Sequence, residues 1–294
     1  GIIDSYESEA LGLKYDLSRI INNKISYGLG SEYKYDWGYF DNKGSYQAST
    51  KGHSDNFALY GNLGWNTFEN SNISLFGRSD KHKQTGINNT YKLNFEQGFE
   101  KFNLGISYMN GLRNPTLYEM FGTDNWGYSG NRNLRPEKSN TYEIYSNIAF
   151  NKNLSLTLRA FRANIKNNIE YISNKYQNDD DDIDLNQSGF NNQLNFKLKD
   201  TSVNLFSSFL SSKKENRADQ LRRPEKNYGL NFSKKIENSF FGNFNFNLTY
   251  NHYGKHFDTH SSNFSTIELD STDIIDLKIT KNLNNNDFYI KVTN

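Results

Sequence analysis

Residues 243–250 read NFNFNLTY, so an apolar or aromatic residue at every second position alternates with a polar one. Because successive side chains of a β-strand point to opposite faces, this stretch predicts a strand with one apolar and one polar face. The same alternation recurs along the chain, in runs that include 57–65, 102–108, 142–150 and 288–292. It predicts about fourteen strands, and the spacing typical of an amphipathic helix is not sustained anywhere.

The composition also favours a sheet with one apolar and one wet face. The 294 residues include 34 Lys+Arg and 33 Asp+Glu, and this net charge of +1 argues against a nucleic-acid-binding protein. Only 35% of the residues are hydrophobic although 15% are aromatic, and no apolar run is long enough for a transmembrane helix. The chain has no cysteine, which excludes disulfides and thiolate metal sites. Its three prolines, Pro115, Pro136 and Pro224, all fall between strand-like runs.

Short and long connections between the predicted strands alternate along the chain. The short ones are 66–72, 98–101, 151–153, 199–202, 237–243 and 282–286. The long ones are 37–54, 111–140, 173–184, 212–226 and 254–271. Outer-membrane barrels have short periplasmic turns and longer extracellular loops, so the pattern predicts an all-β, antiparallel, up-and-down transmembrane β-barrel.

Two further expectations concern the strands themselves. Residues 154–173 are predicted to form one tall strand with a β-bulge near Ala160, because its apolar parity changes there and no turn residues interrupt it. A lower aromatic girdle at the membrane interface is predicted next to the short turns, and it comprises Trp65, Phe99, Phe102 and Phe150.

Catalytic and metal-binding motifs are not predicted. His252, His256 and His260 lie four residues apart in a strand-and-loop context, about 13 Å in a strand, which is too far for two of them to share one zinc ion. The acidic run Asp179–Asp184 lacks the glycine and the closing glutamate of a calcium loop, so a solvated loop is favoured and weak cation binding stays an alternative. The basic stretch 213–226 is expected to meet lipid phosphates or water. No nucleophile elbow or phosphate-binding loop is present, so neither an enzyme nor a cofactor is predicted.

Two blocks of the sequence are more specific than the alternation. Residues 111–122 read GLRNPTLYEMFG, and residues 130–139 read GNRNLRPEKS. In this order and at this separation they resemble the signature of TonB-dependent outer-membrane receptors. The matching positions are Arg113, Pro115, Glu119, Asn131, Pro136, Glu137, Lys138 and Ser139. A later stretch, RRPEKN at 222–227, resembles the start of a descending strand in the cobalamin-receptor branch, with Arg222, Arg223 and Pro224 as the matching positions.

The resemblance implies a barrel of about 22 strands with a plugged lumen. Residues 1–294 would form part of this barrel domain, about fourteen strands of it, so the barrel is incomplete. The plug domain, the TonB box and the closing strand are expected to lie outside the chain. The implied location is the outer membrane of a Gram-negative bacterium, in contact with its lipid and lipopolysaccharide.

The implied function is active uptake of a scarce, bulky nutrient, energised by the TonB complex through the plug. Cobalamin is the first expected cargo, and a metal chelate (a ferric siderophore or haem) is the alternative within the family. A passive porin or adhesin barrel is the alternative from another class. Aromatic residues of the long loops are the candidates for ligand contact, with packing of loop against loop as the alternative for each: Trp37, Tyr39, Phe40, Trp126, Tyr128 and Tyr176.

Overall fold

The computed structural model describes residues 4–44, 47–179, 183–214, 220–239, 242–260, 265–283 and 286–294. The elements in chain order are β1 (Asp4–Ile20), β2 (Ile25–Asn42), β3 (Ala48–Asn66), β4 (Ser71–His82), β5 (Gly86–Gly98), β6 (Phe102–Arg113), α1 (Leu117–Phe121), β7 (Glu137–Asn151), β8 (Leu154–Lys166), β9 (Ile169–Ile172), β10 (Lys175–Asn178), β11 (Leu185–Leu198), β12 (Thr201–Lys214), β13 (Lys226–Ser239), β14 (Gly242–Tyr253), β15 (His256–Thr259), β16 (Thr266–Leu269), β17 (Thr272–Leu283) and β18 (Asn286–Thr293).

One sheet contains fourteen of these strands. Its order is β1-β2-β3-β4-β5-β6-β7-β8-β11-β12-β13-β14-β17-β18, so each strand pairs with the next one along the chain. The remaining strands form two separate hairpins, β9–β10 and β15–β16. This topology confirms the predicted all-β, antiparallel, up-and-down arrangement. None of the helices among the described residues has the length and apolar character needed to cross a membrane.

The chain divides into two compact units. The first comprises residues 1–97, 106–142 and 163–185, and the second comprises 98–105, 143–162 and 186–294. All the buried hydrophobic side chains of the described residues belong to the first unit: Phe40, Ala58, Met120, Tyr128, Leu134, Ala163, Ile169 and Leu185. The core of that unit therefore lies around α1 and the hairpin β9–β10, and not at the strand ends beside the short connections.

The two faces of the sheet in the first unit differ as the alternation predicts. We call the face that carries Leu59, Leu63 and Trp65 of β3 the apolar face, and the opposite face the polar face. Leu59 is 56% exposed and Leu63 is 41% exposed, whereas Ala58 on the polar face is buried. A water-soluble protein buries such leucines against a second layer. Exposed leucines on one face fit a sheet whose apolar side contacts lipid.

The residues predicted as a lower aromatic girdle all lie beside short connections. Trp65, Phe99, Phe102 and Phe150 are each about half exposed, and the rings of Phe99 and Phe102 stack at 4.5 Å between centroids. Exposed aromatic side chains at strand ends are typical of a membrane interface. Their contact with lipid stays a prediction.

Two expectations about connections are wrong, and a third connection contains a helix. The predicted loop at 37–54 is mostly strand, because β2 continues to Asn42 and β3 begins at Ala48. The tall strand predicted for 154–173 ends at Lys166, where Asn167 adopts a φ of 54°, and residues beyond it form β9. A positive φ is tolerated best by Gly and Asn. Asn167 is therefore a residue that favours a turn, and it ends the strand that the alternation had predicted to continue. The connection 111–140 contains α1, a helix that the alternation did not predict.

Candidate functional site

The first motif block folds into a capped helix at the end of β6. Thr116 is the N-cap residue of α1, and its Oγ1 accepts a hydrogen bond from the Glu119 backbone N–H at 3.1 Å. In return, the Thr116 backbone N–H donates to Glu119 Oε2 at 2.7 Å. This reciprocal pair is a capping box, which satisfies two backbone donors that a helix start otherwise leaves unpaired. Pro115 directly precedes the cap and is buried.

Arg113 joins this helix to the start of β7. Its Nη1 donates to both carboxylate oxygens of Glu119 at 3.1 and 3.2 Å. Its Nε and Nη2 donate to the two oxygens of Glu137 at 2.7 and 2.8 Å. Glu137 Oε1 also accepts the backbone N–H of Ile169 at 2.8 Å. One guanidinium thus ties together β6, α1, β7 and the hairpin β9–β10, through the bidentate geometry for which Arg is suited.

The second motif block returns along α1 and reaches the same hairpin. Asn131 donates from its backbone N–H to the Glu119 carbonyl at 2.9 Å and from Nδ2 to the Tyr176 carbonyl at 2.9 Å. Pro136 is buried at the start of β7, and Lys138 beside it is exposed. Ser139 Oγ occupies the space next to Gly111 on the neighbouring strand. The motif residues between Arg113 and Ser139 are therefore structural contacts within one folded loop.

Gly130 is required because residues 130–131 lie close to the backbone of α1. A Cβ at residue 130 would lie 2.5 Å from the backbone of Met120 and Phe121. We expect Gly130→Ala to lower the stability of the folded loop by about 1–3 kcal/mol, because a backbone clash cannot be relieved by a rotamer change. Hydrogen exchange of amides 117–131 in the intact receptor measures this loss. Ser129→Ala at the exposed neighbouring position is the matched control, and equal protection in both variants would contradict the assignment.

A cluster of aromatic rings fills the space between the loop, the hairpin and the first strands. Its contacts include Tyr6–Tyr118 at 5.3 Å, Tyr118–Tyr128 at 5.0 Å and Tyr128–Tyr176 at 5.5 Å between ring centroids. We call it the tyrosine cluster, and its members are Tyr6, Phe40, Tyr118, Tyr128, Tyr171 and Tyr176. Edge-on and tilted ring pairs of this kind add stabilisation beyond their buried area. Three of the predicted ligand residues, Phe40, Tyr128 and Tyr176, are thus packed inside the loop structure.

The phenols of this cluster stay neutral. Burial raises the pKa of Tyr118 and of Tyr128 far above the usual range for a phenol. Tyr128 is 1% exposed, and its Oη donates to the carbonyls of Tyr118 and Glu119 at 2.7 and 3.1 Å. A neutral phenol is a hydrogen-bond donor. In this structure Tyr118 and Tyr128 pack within the cluster, and Tyr128 donates to the loop backbone.

A cavity of about 570 Å³ lies between α1 and the polar face of β1–β4. Lys34 and Asp36, which pair at 2.8 Å, lie on its sheet side, and Tyr118 lies on its loop side. The other lining residues that carry polar groups are Ser8, Glu9, Ser54, Asn56, His82, Asn114 and Thr116. This volume is within the range of small-molecule sites, and the mixed polar lining suits a hydrophilic or charged ligand. Sequence reasoning missed Lys34, Asp36 and Asn56 because they lie outside the predicted loops, whereas Phe40, a predicted ligand residue, does line the cavity.

Ser54 and His82 at the edge of this cavity resemble a nucleophile with its base, but the hydrogen bonds run the other way. Ser54 Oγ is 2.7 Å from His82 Nε2. His82 Nδ1 lies 3.3 Å from the backbone nitrogens of Gln84 and Thr85, which can only donate. Nδ1 is therefore the acceptor, and the ring proton resides on Nε2. In this arrangement His82 donates to Ser54 and does not activate it.

The remaining predicted ligand residues are separated from the cavity. Trp37 and Tyr39 lie in β2 and pair with His53 and Lys51 on the apolar face, opposite to the face that borders the cavity. They were expected in a loop, and this expectation is corrected by the continuous pairing of β2 with β3. Trp126 is 76% exposed at the loop surface, and its backbone N–H donates to Asp124 Oδ1 at 2.8 Å. Among the predicted aromatics, only Trp126 is presented fully to solvent.

The other motifs noted in the sequence have structural partners. Arg222 adopts a φ of 60°, donates its backbone N–H to the Phe257 carbonyl at 2.6 Å and its Nε to Asp258 at 2.7 Å. It thereby holds the hairpin β15–β16, while Arg223 is exposed and Pro224 is half-buried beside it. His252 pairs with Asp273 at 2.8 Å and stacks on Tyr228.

No group of three His, Cys, Asp or Glu side chains within the described ranges could hold a metal ion. In the acidic run, Asp179 accepts from Asn168 at 3.3 Å and Asp184 accepts from Asn164 at 2.9 Å. Asp180, Asp181 and Asp182 lie outside the described residues, as do residues 215–219 of the basic stretch. Cation binding by the acidic run therefore stays an open prediction.

Comparison with known proteins places this geometry in a family. No curated protein matches the chain at the sequence level. A family model described as "TonB dependent receptor-like, beta-barrel" matches residues 4–294. Among solved structures, the ferric-catecholate import receptor Fiu of E. coli K12 has a TM-score of 0.78 at 15% identity, over 99% of this chain and 51% of the receptor.

Two further solved structures have the same fold. The ferric enterobactin receptor PfeA of Pseudomonas aeruginosa has a TM-score of 0.74 at 17% identity, covering 98% of this chain and 48% of the receptor. The siderophore receptor PirA of Acinetobacter baumannii has a TM-score of 0.71 at 14% identity, covering 94% and 48%. The chain thus spans about half the length of these receptors.

The family match covers nearly the whole chain, and the similar structures share its fold. The resemblance inferred from the two motif blocks is thereby confirmed, although the cobalamin branch is not specifically shown. The chain belongs to the family of TonB-dependent receptor-like β-barrel proteins.

Proposed function

We propose that residues 1–294 form part of the barrel wall of an outer-membrane receptor that takes up a ferric siderophore, with energy from the TonB complex. Family membership favours this reading over a passive porin or adhesin. The chain spans about half of each similar structure, which supports the proposal that it is one part of a larger receptor. The exposed apolar face fits the outer membrane of a Gram-negative bacterium as its location.

We favour a ferric siderophore over cobalamin as the cargo of this receptor. The similar structures described above are receptors for siderophores or ferric catecholates by name. The observation in this chain that carries the proposal is the polar cavity under α1, with Lys34 and the hydroxyl groups of Thr116 and Tyr118 among its lining. Ammonium and hydroxyl donors suit the oxygen atoms of an iron chelate, and the carboxylates of Glu9 and Asp36 also line the cavity.

Equilibrium binding to the full-length receptor tests this proposal. We expect a ferric catecholate to quench its intrinsic fluorescence saturably, and cyanocobalamin to leave the fluorescence unchanged. Uptake of the iron complex by cells should also stop when the TonB complex is deleted. Saturable binding of cyanocobalamin alone would overturn the choice of cargo, and uptake without TonB would overturn active transport.

A pair of matched variants tests whether the ferric catecholate binds in the cavity. Lys34 pairs with Asp36 and lines the cavity, whereas Lys14 makes a similar pair with Asp16 at 3.2 Å outside it. Lys34→Gln leaves the Asp36 carboxylate facing the ligand without its cation, so affinity for the anionic complex should fall roughly tenfold. Lys14→Gln should leave affinity unchanged. Equal effects of the two variants would place the ligand elsewhere.

A further inference from the structure

His82 is the last residue of β4 and is buried at the end of the sheet away from the short connections. It lies opposite Asn56 of β3, one residue beyond Phe57, where the exposed apolar residues of β3 end. Its side chain is on the polar face and lines the cavity next to α1. Only 7% of the residue is exposed. This histidine is therefore outside the apolar part of the sheet and is still shielded from water.

The two ring nitrogens of His82 hold different parts of the structure. Nε2 donates to Ser54 Oγ at 2.7 Å, which ties the ring to β3. Nδ1 accepts from the backbone N–H groups of Gln84 and Thr85, both at 3.3 Å. These two residues belong to the turn that joins β4 to β5, so the ring holds the turn against the end of its own strand. The arrangement needs a neutral ring with a lone pair on Nδ1.

The turn connects this histidine to the loop that begins after β6. Thr85 Oγ1 donates to Asn114 Oδ1 at 2.8 Å. Asn114 also lines the cavity, and it directly precedes Pro115 and the N-cap residue Thr116 of α1. The position of Asn114 at the cavity therefore depends on the turn, and the position of the turn depends on His82.

A proton on Nδ1 is not compatible with this turn. The backbone nitrogens of Gln84 and Thr85 can only donate, so a second ring N–H would point at two other N–H groups. Thr85 Oγ1 lies 3.1 Å from Nδ1 and can accept a hydrogen bond from it, but the two backbone groups lose their acceptor on the ring. Polar groups that lose a partner away from water are costly. Protonation of His82 therefore favours a turn that has moved away from the ring.

Carboxylates surround His82, but a cation already pairs with the carboxylate on each of β2, β3 and β4. The pairs are Asp36–Lys34 at 2.8 Å, Asp55–Lys83 at 3.6 Å and Asp80–Arg78 at 2.9 Å. The other titratable groups at the cavity are Glu9 on β1 and Tyr118 in α1. Burial is the larger influence, and it lowers the pKa of His82 against the attraction of the three aspartates.

We propose that His82 is a pH switch that sets the position of Asn114 and lowers the affinity of the cavity for its ligand in acidic surroundings. In the neutral state the ring holds the turn 83–85, and the turn holds Asn114. When the ring gains a proton, the turn leaves it and Asn114 loses the hydrogen bond from Thr85. The contacts of Arg113 do not involve this turn, so α1 stays in place. The effect on affinity rests on the proposed function, whereas the movement of the turn does not.

The direction of the pH dependence follows from the two states of the turn. A histidine exposed in the open turn has a pKa of about 6.5, and burial in the closed turn holds the pKa of His82 lower. The closed turn is therefore most stable above about pH 6.5, and it loses stability as the pH falls toward the lower pKa. Because opening takes up one proton, the ratio of open to closed turns can rise by at most about tenfold for each pH unit in this window.

Hydrogen exchange of the full-length receptor without ligand tests the switch, at about pH 7.5 and about pH 5.5 on either side of the ordinary histidine pKa. Protection is corrected for the intrinsic pH dependence of exchange and measured for amides 84–88, with amides 117–131 as the reference. Protection of the turn should fall several-fold at the lower pH, and the reference should not change. His82→Asn places an amide oxygen where Nδ1 lies and has no proton to gain. Its turn should be equally protected at both pH values.

His53→Asn is the matched control for this experiment. His53 lies on the opposite face of β3, and its Nε2 contacts Nζ of Lys83 in the same turn. It is therefore a second histidine that could make the turn sensitive to pH, and its variant should keep the pH dependence of the unmodified receptor. Dependence that persists in His82→Asn or disappears in His53→Asn would overturn the proposal, as would equal protection of the unmodified turn at both pH values.

Binding of a ferric catecholate to the same three proteins tests the link from the turn to the cavity. The ratio of the affinity at the higher pH to that at the lower pH should be several-fold larger in the unmodified receptor and in His53→Asn than in His82→Asn. Any pH dependence of the chelate itself is common to all three proteins and cancels. Equal ratios would overturn the link to the cavity. A receptor that does not bind the chelate would contradict the proposed cargo, while the exchange result would still decide the switch.

Discussion

Replacing Arg113 with Ala is expected to release the loop between β6 and β7 from the strands while the sheet stays intact. The guanidinium donates four hydrogen bonds to Glu119 and Glu137. Without it, two carboxylates face each other across the loop, and Glu119 is only 8% exposed. Removing one partner of a buried charge pair costs several kcal/mol, but the Arg113 side chain is 42% exposed. We therefore expect a loss of roughly 2–3 kcal/mol in the stability of the loop.

The measurement is hydrogen exchange of amides 116–131 and protease cleavage within the loop, both in the full-length receptor. Lys138→Ala removes a cation from the same motif at an exposed position and should change neither readout. Arg113→Lys keeps the charge but loses the bidentate geometry, so it should fall between the two. Unchanged protection in Arg113→Ala would show that the tyrosine cluster alone holds the loop.

The second large effect is expected from a charge placed on the apolar face. Leu63 is exposed on that face, opposite Tyr27 on β2 and Leu75 on β4. In the outer-membrane location proposed above, an arginine there would face hydrocarbon, and Leu63→Arg should destabilise the folded receptor by about 2–4 kcal/mol. Asn62→Arg introduces the same side chain one residue earlier, on the polar face, and should cost much less.

Denaturant titration of the full-length receptor in lipid vesicles measures both variants. The two substitutions share the strand, the depth and the new residue, so a difference between them reports the faces alone. A larger loss for Asn62→Arg than for Leu63→Arg would invert the assignment of the faces.

The sheet was predictable from the sequence because apolar side chains occupy every second position of the strands. The same reasoning failed at Trp37 and Tyr39 for a physical reason. Beyond Phe57 the positions of β3 on the apolar face become Asp55, His53 and Lys51, so the alternation fades while the backbone pairing of β2 and β3 continues. Strand ends inferred from alternation therefore mark the end of the apolar residues and not the end of the strand.

The loop was predictable in part. The two motif blocks indicated the family, and the spacing of Thr116 and Glu119 fits a capping box that would have predicted α1. Their contacts across the loop were not predictable, because Arg113 and Glu137 are joined by folding of the segment between them. The cavity residues Lys34 and His82 come from different strands, and no local pattern brings them together.

Arg113 and the tyrosine cluster hold this loop in one conformation. In the receptor function proposed above, a surface that is already ordered before a ligand binds would lose little conformational entropy on association. The association rate would then be set by diffusion and charge and not by a slow rearrangement of this loop.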